Sequence, residues 1–114
     1  MKKPNIIIII SDQQSIDTLS CLKAIYKHKA YGAHWLKTPH LDRMVASGMY
    51  FIESHSTNPV CSPARSAMFT GCMPIEIGIV YNNIGIDRNI PNMGQWFSEN
   101  SNYETWYCGK WHAG

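Results

Sequence analysis

The chain has 114 residues, of which 45% are hydrophobic and 16% are charged, and its formal net charge is +2. This length allows one domain and excludes a large multidomain enzyme. The small net charge and the lack of an arginine-rich segment exclude a strongly basic surface, so we expect no nucleic-acid partner. Small soluble domains carry about a quarter charged residues. The low charged fraction therefore predicts apolar surface that further polypeptide would cover.

Neither a membrane segment nor an export signal is predicted. The longest apolar run, Ile6 to Ile10, is far shorter than the ~20 residues that cross a bilayer. Lys2 and Lys3 precede it as they would in a signal peptide, but the apolar core is too short and no small-residue cleavage site follows. We therefore expect a cytoplasmic location. The four cysteines form no CxxC pair, so neither a disulfide framework nor a zinc site is favoured.

The first predicted element is a strand from Asn5 to Ser11. Five consecutive isoleucines favour extended backbone because they are β-branched, and an unbroken apolar run is typical of a parallel strand buried on both faces. Asp12 and Gln13 follow at the carboxyl end of that strand, where open α/β sheets bind ligands. Asp12 could equally cap a following helix.

A helix and a second strand are predicted next. Residues 15 to 37 are irregular and mix lysines with aromatic residues, which favours a solvated excursion over an anion-binding flap. Thr38 and Pro39 are typical of an N-cap and a first helical residue, and Gly48 suits the left-handed position that ends a helix. Met49 to Glu53 is predicted to be a strand. The order strand, helix, strand indicates a parallel α/β sheet.

Two more helices and a third strand complete the predicted fold. One helix runs from Ser62 to Phe69 and ends near Gly71, and another begins at Pro91. Tyr103 to Cys108 is predicted to be a strand that presents Gly109-Lys110-Trp111-His112 at its carboxyl end. The predicted fold class is therefore α/β, with a parallel-type sheet flanked by helices.

The segment around Cys61 has the clearest potential for chemistry. Cys61 lies just before a predicted helix N-terminus, where free N–H groups and the helix dipole favour a thiolate or a bound oxyanion. Arg65, about one turn further on, could direct its planar guanidinium at the same anion. The alternative is a buried cysteine beside a surface arginine, which composition alone favours.

Several of these segments resemble the sulfatase family, whose fold is alkaline-phosphatase-like. Cys61-x-Pro63-x-Arg65 followed by Thr70-Gly71 is similar to the sulfatase signature, in which the cysteine is oxidised to formylglycine. Three further segments resemble family segments in the same order: 4–14 the opening strand and metal-binding turn, 38–43 the next helix, and Gly109-Lys110-Trp111-His112 the second signature.

The resemblance implies catalytic roles for four residues. The formylglycine made from Cys61 would be hydrated, and one hydroxyl would attack the sulfur of the ester, so that the bond between sulfur and the alcohol oxygen breaks and the alcohol leaves. Arg65 and Lys110 would hold the formylglycine and neutralise the charge that develops. His112 would accept the proton of the remaining hydroxyl, so that sulfate is expelled.

The resemblance also implies a divalent metal. Asp12, Gln13 and the modified Cys61 would bind Ca²⁺ or Mg²⁺, which are hard cations that prefer oxygen ligands. Many family members have aspartate where this chain has Gln13. The amide keeps an oxygen ligand but removes one negative charge.

The implied partners are a sulfate ester, either a small molecule or a sulfated glycan, and a maturating enzyme that makes formylglycine. Residues 1–114 would form a partial N-terminal catalytic domain without an internal boundary, of bacterial origin and weakly active or inactive without a missing C-terminal portion. Two alternatives remain. The chain could belong to a formylglycine-dependent phosphonate monoester or phosphodiester hydrolase, or it could be a non-catalytic interaction fragment.

Overall fold

The computed structural model describes residues 3–22 and 36–113, except for the side chain of Asp17. The chain divides into two compact units, Met1–Ile52 and Glu53–Gly114, and each unit is described by itself. Most of the predicted excursion from residue 15 to residue 37 lies outside the described residues.

The described part of the first unit contains two short 3-10 turns, Ile16–Thr18 and Ser20–Leu22, and helix α1, Pro39–Ser47. Pro39 lies in the first turn, as predicted. Proline is tolerated there because the N–H that it lacks would have no helical partner. Thr38 is the N-cap residue, but its side chain makes no capping hydrogen bond.

The predicted left-handed end of α1 is wrong. Gly48 has a φ of −123° and extended backbone. A Cβ on Gly48 would lie 3.0 Å from the carbonyl oxygen of Met44. Glycine is therefore favoured here by the close approach of the chain to the last helical turn rather than by a positive φ.

The predicted parallel sheet is not confirmed. The segments Asn5 to Ser11, Met49 to Glu53 and Tyr103 to Cys108 form no strands in the part of the chain that the structure describes. Ile7 and Ile9 are each 81% exposed. β-Branched residues favour a strand through packing against neighbouring strands, and no neighbouring strand is present among the described residues.

The second unit contains helix α2, Cys61–Thr70, and helix α3, Met93–Asn100. Gly71 ends α2 as predicted: its φ of 73° is left-handed and its N–H donates to the carbonyl of Ala67 at 2.8 Å. Asn92 caps α3 by accepting a hydrogen bond from the backbone N–H of Gln95 at 3.0 Å. This helix therefore begins two residues later than the predicted start at Pro91.

The core of the second unit lies against α2. Its apolar members are Ala67, Phe69, Ile79 and Ala113, all of which are buried. Phe69 stacks on Trp111 with ring centroids 4.7 Å apart, and Tyr107 packs edge-on against both rings. These aromatic contacts hold the chain segment from residue 107 to residue 111 against α2. No helix in the described ranges is long and apolar enough to cross a membrane.

Candidate active site

Cys61 is the first residue of α2 and is half-buried. The sequence predicts a helix that starts at Ser62, so α2 begins one residue earlier than predicted. Val60 is the N-cap residue, with an extended backbone and no capping side chain. The cysteine therefore starts the first helical turn, at the positive end of the helix dipole.

The free N–H groups that were predicted beside Cys61 are not found at the next three residues. The N–H of Ser62 donates to Oδ1 of Asn82 at 3.0 Å, and the N–H of Ala64 donates to the carbonyl of Val60 at 3.0 Å. Pro63 has no N–H. What the helix offers an anion at this end is therefore its dipole rather than a row of unused donors.

Arg65 is only 7% exposed, so the alternative of a surface arginine is excluded. Its Nη1 donates to the carbonyl oxygen of Lys110 at 2.7 Å and lies 3.5 Å from the phenol oxygen of Tyr107. The Tyr107 hydroxyl also donates to the Lys110 carbonyl. These bonds join α2 to the segment around Lys110 and bring two predicted site residues together.

His112 combines a strained backbone with a buried nitrogen. Its φ is +50°, and Gly109, three residues earlier, has a φ of +103°. The Nδ1 atom of His112 is buried and has no hydrogen-bond partner in the part of the chain that is described. A left-handed backbone costs a non-glycine residue about 1–2 kcal/mol, and such strain concentrates at functional sites.

Asp12 and Gln13 lie in the first unit and are exposed. Gln13 is left-handed, with a φ of 55°. Asp12 does not cap a helix, because the next helical turn begins at Ile16 with Ser15 as its N-cap residue. A carboxylate and an amide oxygen suit Ca²⁺ or Mg²⁺, and calcium takes about 6 to 8 such oxygens. The described residues contain no group of three or more His, Cys, Asp or Glu that could hold a metal.

A separate polar cluster in the first unit surrounds Asp42. Its carboxylate accepts hydrogen bonds from the Ser20 hydroxyl at 2.6 Å, the Cys21 N–H at 3.0 Å and the Thr38 hydroxyl at 3.0 Å. The Ser20 hydrogen bond is the main reason why the pKa of Asp42 lies below its ordinary value of 3.8. Burial, followed by the nearby Asp42, raises the pKa of the Cys21 thiol. A raised pKa disfavours the thiolate, which is the nucleophilic form of cysteine.

Sequence reasoning missed Asn82 and Tyr107. Asn82 binds the first turn of α2 from 20 positions away in sequence, whereas capping signals are read within a few residues of a helix start. Tyr107 was predicted only as a strand residue. Its hydrogen bond to Lys110 is local, but its approach to Arg65 spans 42 positions, so no spacing in the sequence indicates it.

Comparison with known proteins gives a consistent result. A family model described as Sulfatase matches residues 4–114. An uncharacterized sulfatase of Escherichia coli, YidJ, is 34% identical over 112 residues, which are 98% of this chain and 20% of that protein. N-acetylgalactosamine-6-sulfatase of Rattus norvegicus is 34% identical over 97% of this chain and 22% of its own length. N-acetylgalactosamine-6-O-sulfatase of Bacteroides thetaiotaomicron is 35% identical over 99% and 21%.

The chain thus spans about a fifth of the length of the curated relatives that it matches. No solved structure matches it significantly.

Proposed function

The chain belongs to the sulfatase family, and from that premise we propose that it carries the nucleophile and the charge-stabilising residues of a sulfuric ester hydrolase. The proposed nucleophile is a formylglycine made from Cys61. Arg65, Lys110 and His112 are the proposed residues around it. The proposal treats residues 1–114 as part of the catalytic domain of a longer sulfatase.

The observation that carries the proposal is the hydrogen bond from Arg65 to the carbonyl of Lys110, at 2.7 Å. It joins the helix that begins with Cys61 to the segment that contains Lys110 and His112. The two bonded residues are 45 positions apart in the sequence. Each of the two parts of the chain resembles one of the sulfatase signatures. Their contact supports a common site.

Each proposed side chain has a charge or proton role that suits ester cleavage. Hydrated formylglycine supplies an oxygen nucleophile that displaces the alcohol from sulfur, and its second hydroxyl permits the later release of sulfate as the aldehyde forms again. The fixed positive charges of Arg65 and Lys110 stabilise the negative charge that develops on the reacting oxygens. His112 is the proposed base that takes a proton from the aldehyde hydrate.

Asp12 and Gln13 are the proposed metal ligands of the first unit. Both provide oxygen donors, which is the ligand type that Ca²⁺ and Mg²⁺ require. A bound cation would supply positive charge toward the sulfate oxygens. Further oxygen ligands would come from polypeptide beyond these 114 residues.

The proposed substrate class is a sulfate ester on a sugar or another small molecule. Two of the relatives bear the name N-acetylgalactosamine-6-sulfatase or N-acetylgalactosamine-6-O-sulfatase, which supports a sugar sulfate. A formylglycine-generating enzyme is the proposed maturation partner.

The proposal is tested by expressing the protein that carries this sequence together with a formylglycine-generating enzyme. Hydrolysis of a chromogenic aryl sulfate and the aldehyde content are then measured. We expect both in the wild type and in Cys108→Ala, which removes an exposed cysteine, and neither in Cys61→Ala. Turnover that survives Cys61→Ala would overturn the assignment. Faster hydrolysis of an aryl phosphonate or phosphodiester would overturn the substrate class.

A further inference from the structure

A short segment from residue 82 to residue 84 clamps the first turn of α2. Oδ1 of Asn82 accepts the backbone N–H of Ser62 at 3.0 Å, and the carbonyl of Ile84 accepts the Ser62 hydroxyl at 3.1 Å. Ser62 is almost completely buried. The backbone N–H and the hydroxyl of Ser62, the residue that follows Cys61, are therefore both bound to the same short segment.

This clamp replaces a cap that the local sequence does not provide. The first N–H groups of a helix have no helical partner, and a side-chain oxygen at the N-cap usually binds one of them. Val60 occupies the N-cap here and has no such oxygen. Asn82 binds an N–H of the first turn instead, from 20 positions further along the chain.

The backbone of the next residue explains how the clamp is formed. Asn83 has a φ of 66°, and asparagine tolerates the left-handed region better than most residues. This turn lets the side chain of Asn82 and the carbonyl of Ile84 bind the same serine.

We propose, resting on the proposed function, that Asn82 is a positioning residue for ester cleavage. By holding the N–H of Ser62 it fixes the first turn of α2, and so fixes the direction in which the side chain of Cys61 leaves the helix. Asn82 itself does not contact the reacting atoms. Its side-chain oxygen acts through the backbone of α2.

The first test needs no turnover. The rate at which iodoacetamide alkylates Cys61 is followed by peptide mass spectrometry across a pH series, with Cys72, just beyond the other end of α2, as the internal reference. We expect Asn82→Ala to speed alkylation of Cys61 several-fold and to leave Cys72 unchanged. Asn82→Asp restores an acceptor but adds a negative charge, which disfavours a nearby thiolate. We therefore expect Cys61 of Asn82→Asp to be alkylated more slowly than Cys61 of Asn82→Ala, with Cys72 unchanged.

The matched control is Asn83→Gly. It changes the neighbouring asparagine, keeps the left-handed backbone accessible and retains the oxygen of Asn82. We expect the rates and pH profiles of both cysteines to stay at their wild-type values.

The second test is kinetic and uses the formylglycine-bearing protein with an aryl sulfate. A small misplacement of a reacting group lowers the rate strongly, so we expect Asn82→Ala to reduce kcat by about 10- to 100-fold with little change in KM. Asn82→Asp should recover part of that loss, because it restores the acceptor for the Ser62 N–H, while its negative charge opposes the negative charge that develops in the reaction. A merely structural role for Asn82 would give a different result. The kcat of Asn82→Ala would fall only in proportion to the loss of folded protein, and alkylation of Cys61 and of Cys72 would change by the same factor.

The two proposals fail in different ways. If the wild type gains neither formylglycine nor turnover, the proposed function fails, and the catalytic role of Asn82 fails with it. The alkylation rates still decide whether Asn82 positions Cys61 through the N–H of Ser62. If the wild type is active and Asn82→Ala has the same kcat and Cys61 reactivity, this inference alone is overturned.

Discussion

Gln13 and His112, two of the proposed site residues, have left-handed backbones with φ values of 55° and 50°. Among the described residues, the other non-glycine residue in this region is Asn83, which forms the clamp on α2. Left-handed backbone is costly for L-residues with longer side chains. Its presence at these positions supports a functional constraint on both proposed site residues.

Gln13→Gly should raise the free energy of unfolding by up to about 1 kcal/mol, because glycine adopts a left-handed backbone without a Cβ penalty. The same change removes the amide oxygen proposed as a metal ligand, so calcium affinity should fall. Urea unfolding and calcium titration measure the two effects.

Gln14→Gly is the matched control for that substitution, since Gln14 is exposed and is not left-handed. It should lower the free energy of unfolding slightly through the flexibility of glycine. Equal destabilisation by both substitutions would contradict strain at Gln13.

The sequence predicts that Cys61 and Arg65 act on the same anion, but it does not indicate the contacts that Arg65 makes. An arginine one turn from a helix start indicates an anion-binding group. The observed partner of its guanidinium is the carbonyl of Lys110, 45 positions away. Spacing along a helix cannot indicate a partner that tertiary packing brings from a distant segment.

At the scale of elements, helix ends were predictable where the signal is local. Gly71 has the predicted left-handed backbone after α2, whereas Gly48 is extended after α1. Both glycines follow a helix, and a glycine permits either conformation. The path of the following chain decides between them, and that path is not encoded at the glycine itself.

Ser66→Ala should stabilise the protein. The Ser66 side chain is completely buried within α2, and its hydroxyl has no hydrogen-bond partner in the described part of the chain. A buried polar group without a partner costs about 1–3 kcal/mol, and alanine is the better helix former. We expect the free energy of unfolding in urea to rise by about 1 kcal/mol.

The control for Ser66→Ala is Thr70→Val, on the same helix. The Thr70 hydroxyl donates to the carbonyl of Ser66 at 2.8 Å and accepts the N–H of Cys72 at 3.2 Å. Its removal should cost about 0.5–1.5 kcal/mol. A loss of stability in Ser66→Ala would show that its hydroxyl has a partner after all.

The Asp42 cluster should make the stability of the first unit fall in acid. Hydrogen bonds to its carboxylate, that of Ser20 foremost, hold the pKa of Asp42 below 3.8. Because the pKa of Asp42 is lower in the folded protein than in the unfolded chain, the ionised carboxylate stabilises the fold. This stabilisation is complete at pH values above the pKa of the unfolded chain, and it is lost as the pH falls through the pKa of the folded protein. We therefore expect the contribution of Asp42 to be constant above about pH 5 and to decline below about pH 4.

Asp42→Asn isolates this effect because it keeps the shape but cannot ionise. Thermal unfolding of the wild type and the variant across pH 2 to 7 measures it. The stability difference between them should shrink as pH falls below about 4. A difference independent of pH would contradict the role of the carboxylate charge.

At the scale of the whole molecule, the low charged fraction predicts uncovered apolar surface, and many large hydrophobic side chains are exposed. Apart from prolines, the structure buries five apolar side chains among its described residues but leaves 21 large hydrophobic ones exposed. Five of the exposed side chains are the isoleucines from Ile6 to Ile10. The predicted uncovered apolar surface is therefore present.

This surface should bind an apolar fluorescent dye. Ile7→Thr combined with Ile9→Thr should weaken dye binding with less than about 0.5 kcal/mol of change in stability, because exposed positions contribute little to folding. Ile79→Thr replaces a side chain that is 0% exposed and should instead destabilise by about 2 kcal/mol or more. Strong destabilisation by the exposed pair would show that these isoleucines are packed.

The predicted sheet is absent from the described residues because its strands have no neighbouring strand to pair with. Isoleucine propensity predicts a strand, but a strand forms only when another strand accepts and donates its backbone hydrogen bonds. The chain spans about a fifth of the length of its curated relatives. Helices α1, α2 and α3 were predictable because their hydrogen bonds are internal to each helix.

Peptide mass spectrometry of Cys61 tests the central claim most directly. The protein is expressed with and without a formylglycine-generating enzyme, and the peptide spanning Cys61 is examined for replacement of the thiol by an aldehyde that a hydrazide reagent captures. We predict conversion at Cys61 with the enzyme, none without it, and none at Cys21, Cys72 or Cys108. A Cys61 that remains a thiol in the presence of an enzyme that converts a control sulfatase would contradict the account.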